Sequence, residues 1–230
     1  MRGDRDLPSG KEKERAVRQM FDAIAPRYDL VNRVMTFGMD RAWRRRTVAS
    51  LHLSPGGVVA DVACGTGDLC REIQAAGGVA IGFDVSHGML DKARTTAPLV
   101  QGDGLHLPLR SGELAGVTCG FALRNVVDIG KLFVELARVL RPGGRVALLE
   151  VAEPGSGVVR LGHRFYFHKV VPLIGGLLSD RDAYRYLPRS TAYLPPPAEL
   201  LSMLTIAGFE ESSRERLGLG AAQLISATRS

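Results

Sequence analysis

Along this chain of 230 residues the apolar positions change rhythm several times. From about residue 12 to 50 they recur at helical spacing. Beyond that, short β-branched runs, "GVVADV", "GVAIGFDV", "APLVQGD", "AGVTCGFA" and "GRVALLEV", alternate with the helical patterns "GDLCREIQAAG", "HGMLDKARTT" and "DIGKLFVELARVLRPGG". The last predicts the clearest helix, with Leu132, Phe133, Leu136, Val139 and Leu140 in one apolar stripe and Pro142, Gly143 and Gly144 to end it. Strand and helix in alternation predict an α/β fold, a parallel sheet covered by helices on both faces. Ligands of such sheets sit beyond the carboxyl ends of the strands, where the strand order reverses. Residues 155–197 interrupt the alternation before a last helix, "AELLSMLTIAGF". Apolar at "VVPLIGGLL" but too short to span a bilayer, this insertion fits a helical lid, a channel for a long apolar tail, or a cap on the sheet.

Composition narrows the class. A hydrophobic share of 45% and a charged share of 23% suit one folded domain. Residues 1–15 are expected to be a flexible tail, and 16–230 a single domain whose residues 16–50 form an N-terminal helical lid. The first residues are too polar for a secretory signal, so a cytoplasmic chain is expected. Cys64, Cys70 and Cys119 form no CxxC pair and the histidines no HExxH cluster; buried thiols and no metal are expected.

The net charge of +6 is densest at Arg41, Arg44, Arg45 and Arg46 around the only tryptophan. A solvated helix face is the simpler reading; a patch that meets anionic lipid headgroups at the inner face of the membrane is the second. No nucleic-acid partner is expected, because no aromatic stacking platform accompanies the charge.

The chemistry concentrates at the strand ends. Val58 to Val62 reads as the first strand, and Cys64-Gly65-Thr66-Gly67-Asp68 as its turn into a helix. Glycines at 65 and 67 allow close backbone approach to a ligand. No GK[ST] follows them, which excludes a P-loop. Asp61 would repel a pyrophosphate but suits a ligand that carries an ammonium and a sulfonium. Asp84 ends the next strand and can accept from both ribose hydroxyls; Asp103, at the following strand end, can accept from the exocyclic amine of an adenine. In that order the acids describe S-adenosylmethionine.

"CGTGD", "GFD", "GD" and "LRPGGRVALLE" resemble class I S-adenosylmethionine-dependent methyltransferases. "FDAIAPRYDLVNRVMTFGMDRAWR", "FALRNVVD", "FHKVVPLIGGLLSDRDAYRYLPRS" and "LLSMLTIAGFEE" are similar to the ubiquinone/menaquinone biosynthesis C-methyltransferases, from about residue 16 onward. The resemblance implies a Rossmann-like, mostly parallel seven-stranded sheet, cofactor contacts at Thr66, Asp84, Asp103 and Gly104, and methyl transfer to a ring carbon of a prenylated quinol, demethylmenaquinol by preference. Gly120 stands where such proteins usually carry serine, which removes a hydroxyl from the cofactor wall.

Methylation of a ring carbon needs a quinolate whose charge is stabilised away from water. Arg124, at the end of the fourth strand, could hold its oxygen, with Asn125 to orient it; the simpler role for Arg124 is an ion pair with Asp128. Tyr28 and Asp29 could form the edge of a lid or merely end a helix. His168 could act as a base, and Tyr184, Tyr186 and Tyr193 could line an aromatic pocket, although core packing explains each. An oxygen- or nitrogen-directed methyltransferase would share every cofactor residue, and an RNA-modifying protein is the remaining alternative.

Overall fold

A computed structural model describes residues 9–155, 157–178, 183, 186 and 189–230. Seven strands form one sheet: β1 (Val58–Val62), β2 (Val79–Asp84), β3 (Leu99–Gln101), β4 (Leu114–Gly120), β5 (Leu140–Val151), β6 (Phe209–Leu217) and β7 (Ala222–Arg229). Their order is β3-β2-β1-β4-β5-β7-β6. The first five run parallel, and β7 is antiparallel to both neighbours. The order reverses between β1 and β4, so the crevice for a ligand opens at their carboxyl ends.

Helices cover both faces, as the alternating pattern predicts. On one side α6 (Ile129–Val139) buries Leu132, Phe133, Leu136 and Val139 against the sheet together with α9 (Pro197–Ile206). Asp128 starts α6 by accepting the Lys131 amide at 2.9 Å, an N-cap that satisfies an orphan donor. On the other side lie α3 (Asp40–Ala49) and α4 (Asp68–Ala75), which contribute Val48, Leu69 and Ile73 to a second core, and the short α5 (His87–Asp91).

The N-terminal segment departs from expectation at its start. Helix α1 (Gly10–Ile24) begins inside the stretch read as a tail; its amphipathic pattern buries Lys13 and Val17, and this docking orders residues 10–15. Residues 1–8 lie outside the described residues. After α1 come a 3-10 turn and α2 (Tyr28–Met35). The insertion contains α7 (Gly157–Phe165), a π-helical turn and α8 (Val171–Leu178), which packs on α2. Among the described residues no helix is long and apolar enough to cross a membrane.

Candidate active site

Two backbone kinks shape the crevice. Ala63, just past β1, and Phe121, just past β4, have φ of 56° and 57°, a region that non-glycine residues avoid. Both line cavities, where such strain is characteristically held.

The first cavity, about 300 Å³, lies at the ends of β1, β2 and β4. Val62, Gly65, Asp84, Asp103, Gly104 and Asn125 line its floor and sides, and Val17 and Phe21 of α1 roof it. Asp84 accepts the Gly65 and Ser86 amides, each at 2.8 Å, one on each oxygen. Each oxygen keeps a second lone pair for a ligand. Burial pushes the Asp84 carboxyl above its ordinary range. One Asp103 oxygen accepts the Leu105 amide at 2.9 Å, which turns the exposed carboxylate across the cavity edge. A Cβ at Gly104 would lie 2.7 Å from Val62 Cγ1, so this wall admits no side chain.

Asn125 stands out in this cavity. It is 8% exposed, and neither its amide oxygen nor its nitrogen has a partner among the described residues. Burying both groups unpaired costs a few kcal/mol, so the position calls for a ligand that donates and accepts.

The second cavity, about 370 Å³, is enclosed by α2, α3, α7 and the turn after β6. Met35, Phe37, Trp43, Tyr166 and Val171 make it apolar; Arg44 and Arg124 are its cations. Phe21, Tyr28 and Phe121 line both cavities and form their common wall. Tyr28 and Phe121 also border a small pocket of about 30 Å³ against Asp61, Thr66 and Gly120. Burial pushes the Tyr28 phenol above the ordinary tyrosine range, against the pull of Arg44 and Arg124.

The residues expected to bind a cofactor thus divide. Asp84, Asp103, Gly65, Gly104 and Gly120 face the first cavity. Asp61 does not: it is fully buried, faces the small pocket, and accepts from the Thr118 hydroxyl at 2.8 Å and the Cys70 thiol at 3.4 Å. Burial raises its pKa to about 7. The Thr66 hydroxyl is also taken, donating to Asp29 at 2.5 Å and so tying α2 to the glycine turn. Gly67 lines none of these cavities; with φ 81° it starts α4, and a Cβ there would meet Thr95 at 2.7 Å.

Arg124 is more constrained than expected. It is buried and paired with Glu150 at the end of β5, not with Asp128, which caps α6 and pairs with Lys131. Its guanidinium also donates to the Phe121 carbonyl at 2.7 Å and to Ser190 Oγ at 3.2 Å. The arginine cluster on α3 is no uniform solvated face either. Arg41, Arg45 and Arg46 are exposed, but Arg44 is buried between Asp40 and Asp68 and borders the second cavity. Only the Asp40 to Arg44 spacing signals that pair in the sequence; Asp68 comes from another element.

Helix α1 is clasped over the crevice. Asp22 accepts from Ser86 Oγ at 2.6 Å and the Gly88 amide at 2.9 Å, and Lys13 donates to the Val126 carbonyl at 2.7 Å while lying over the Tyr193 ring. The Tyr186 hydroxyl is buried without a partner among the described residues. Tyr184 and the His168 side chain lie outside them.

The profile of the ubiE/COQ5 methyltransferase family matches residues 9–229. The chain belongs to this family. It is 42% identical over 226 residues to a demethylmenaquinone methyltransferase of Roseiflexus sp. (strain RS-1), covering 95% of each chain. It is 40% identical to a ubiquinone/menaquinone biosynthesis C-methyltransferase of Geobacter sulfurreducens, covering 93% of this chain and 88% of the other. Among solved structures it is similar to a SAM-dependent methyltransferase from Thermotoga maritima, with a TM-score of 0.66 at 18% identity over 93% of this chain and 99% of the other. This ubiE/COQ5 methyltransferase has the Rossmann-like class I fold expected from its motifs.

Proposed function

We propose that this methyltransferase transfers a methyl group from S-adenosylmethionine to a ring carbon of a reduced, prenylated demethylquinone, demethylmenaquinol in first place. The observation that carries the reading is the wall of Tyr28, Phe21 and Phe121, which brings a nucleoside-sized cavity edged by Asp84, Asp103 and Asn125 into contact with a second, apolar cavity. The relatives' names supply the quinone; the two cavities supply a reason for it.

The first cavity fits the cofactor on its own terms. Asp84 offers two lone pairs to ribose hydroxyls, Asp103 an acceptor for an adenine amine, and the unpartnered Asn125 amide a donor and an acceptor. Asp61, poised near neutrality, favours a cation nearby. When bound, S-adenosylmethionine supplies an electrophilic methyl group. The protein's residues do the rest. Phe121, Met35, Trp43 and Val171 exclude water from the second cavity, so a quinolate there keeps its electron density for the ring. Arg124 and Arg44 supply the guanidinium groups that favour the deprotonated hydroxyl, the charge of Arg124 offset in part by Glu150 and that of Arg44 by Asp40 and Asp68. A substrate carried by an apolar tail also implies work at a membrane surface.

The assay is labelled methyl transfer to a short-tailed demethylmenaquinol under anaerobic reductant, with the oxidised quinone, simple phenols and amines as controls. The quinol alone should turn over, because the oxidised ring is electron-poor at the accepting carbon. Arg124→Lys should retain part of the rate and Arg124→Ala lose about 10²- to 10³-fold, worth ~3–4 kcal/mol of barrier. Equal turnover of both redox forms, or preference for an amine, would refute the assignment.

A further inference from the structure

At the mouth of the second cavity, and on the helices of the insertion that border it, the fold leaves apolar side chains in water. Phe37 and Leu219 stand on its lip, 75% and 87% exposed, and each is held at positive φ, 52° and 57°. Bulky residues adopt that conformation at a cost, and here the cost yields no internal packing to match. Leu161 and Phe165 follow one turn apart on the outer face of α7, and Leu173 projects from α8. The Phe37 and Tyr166 rings, 5.6 Å apart, join the two sides of the lip. Single exposed apolar residues are ordinary; several of them on one opening and the helices beside it are not.

The charge of this rim is one-sided. Residues 28–40, 157–178 and 218–221 contain Arg33, Arg160, Arg164 and Lys169, all exposed, against two carboxylates, Asp29, which is bonded to Thr66, and Asp40, which is buried against Arg44. Beside the rim lies a third cavity of about 400 Å³. It shares Val151 with the second and is lined by Arg164, Arg214 and Arg216. None of these arginines forms an ion pair among the described residues. Arg214 and Arg216 are two apart on β6, hence on one face, and burial together with the Arg216 charge holds the Arg214 pKa below its ordinary value. Three guanidiniums border this hollow, with Glu153 the one acid in its lining; Arg214 Nε donates to Gln223 at 2.6 Å, and guanidiniums so grouped suit a phosphate oxyanion.

We propose that this face docks on a bilayer of anionic phospholipid, with Phe37, Leu161, Phe165 and Leu219 seated at the headgroup–acyl boundary and lipid phosphate received among Arg164, Arg214 and Arg216. A bilayer surface is the partner that offers an apolar layer and a phosphate layer side by side. The inference rests on the quinol reading for its purpose: the cavity mouth opens within the docked face, so a tail-bearing substrate passes from lipid to protein without crossing water.

Vesicle binding tests the docking without reference to turnover. The full chain is sedimented with vesicles of phosphatidylcholine alone and of equimolar phosphatidylcholine and phosphatidylglycerol, across a salt series. Anionic vesicles should bind it about tenfold or more tightly, with affinity falling as salt rises. Leu161→Ser with Phe165→Ser should cut that binding about tenfold, and Arg214→Ala with Arg216→Ala should flatten the salt dependence. The Leu161/Phe165 variant should methylate a short-tailed quinol in solution at the parent rate yet lose rate on a long-tailed quinol held in vesicles. Loss of both rates with vesicle binding intact would count against the docking role of these residues, whereas vesicle binding by a chain that methylates no quinol would leave the docking standing and defeat the quinol reading alone. Binding of inorganic phosphate without vesicle binding, or a dimer that the Leu161/Phe165 variant dissociates in place of vesicle binding, would overturn the proposal.

Discussion

Asp61 is a buried carboxyl whose ionisation ties stability to pH. Desolvation raises its pKa from 3.8 to about 7, although Thr118 and Cys70 donate to it. A carboxyl whose pKa is higher folded than unfolded contributes stability in acid, where both states are protonated, and that contribution is lost as pH rises toward 7. A cationic ligand reverses the preference by favouring the ionised form. In calorimetric titrations the affinity for S-adenosylmethionine should therefore climb from about pH 5 to about pH 7 and then level off, by up to about tenfold per unit. Asp61→Asn should bind more weakly with a flatter profile, while its ligand-free form at about pH 8 unfolds ~1–3 kcal/mol less readily. A parent profile as flat as that of the variant would end this account. Asp61 was legible as an acid beside the glycine turn, but its enclosure was not, because Thr118 comes from β4 and Cys70 from α4. The ion-pair partner of Arg124 was hidden for a similar reason: Asp128, the partner its simpler reading offered, is its neighbour along the chain, Glu150 its neighbour across the sheet.

Among the elements, strands β1 to β5 and helices α4, α6 and α9 were readable, since each satisfies its own periodicity: buried runs in a parallel sheet, stripes on helices. The antiparallel β6 was not, because its outward face is polar and carries residues such as Glu210, Glu211 and Arg214. The junction of α6 and β5 also departs from the sequence reading: the helix ends at Val139, and Leu140 with the Pro142-Gly143-Gly144 segment belongs to β5. Helices α1 and α2 matter through a few clasps rather than through broad burial. Asp29 to Thr66 is a contact that ties α2 to the glycine turn. Asp29→Ala should leave the melting temperature nearly unchanged while raising KM for the cofactor about 5- to 20-fold, because loss of a charge-assisted hydrogen bond of ~1–2 kcal/mol frees α2 from the glycine turn. A truncation that removes α3 as well would be a poorer test. It would strip Trp43 from Leu149 and Ala222 and leave Asp68 without Arg44.

For the molecule as a whole, the common wall of Phe21, Tyr28 and Phe121 separates two approaches. The first cavity reaches solvent beside Lys11, Glu14 and Asp103, the second beside Phe37, Met39 and Leu219. Traffic through one entrance need not wait for the other. Initial rates measured against both substrates should give intersecting lines, and the demethylated product of the cofactor should compete with S-adenosylmethionine while lowering the maximal rate toward quinol. Competition of that product with the quinol would place both ligands in a single queue. With separate doors, a fresh cofactor can be loaded while the methylated, water-insoluble product still occupies its own passage. The enzyme could then reset for the next cycle without first discharging its oily cargo.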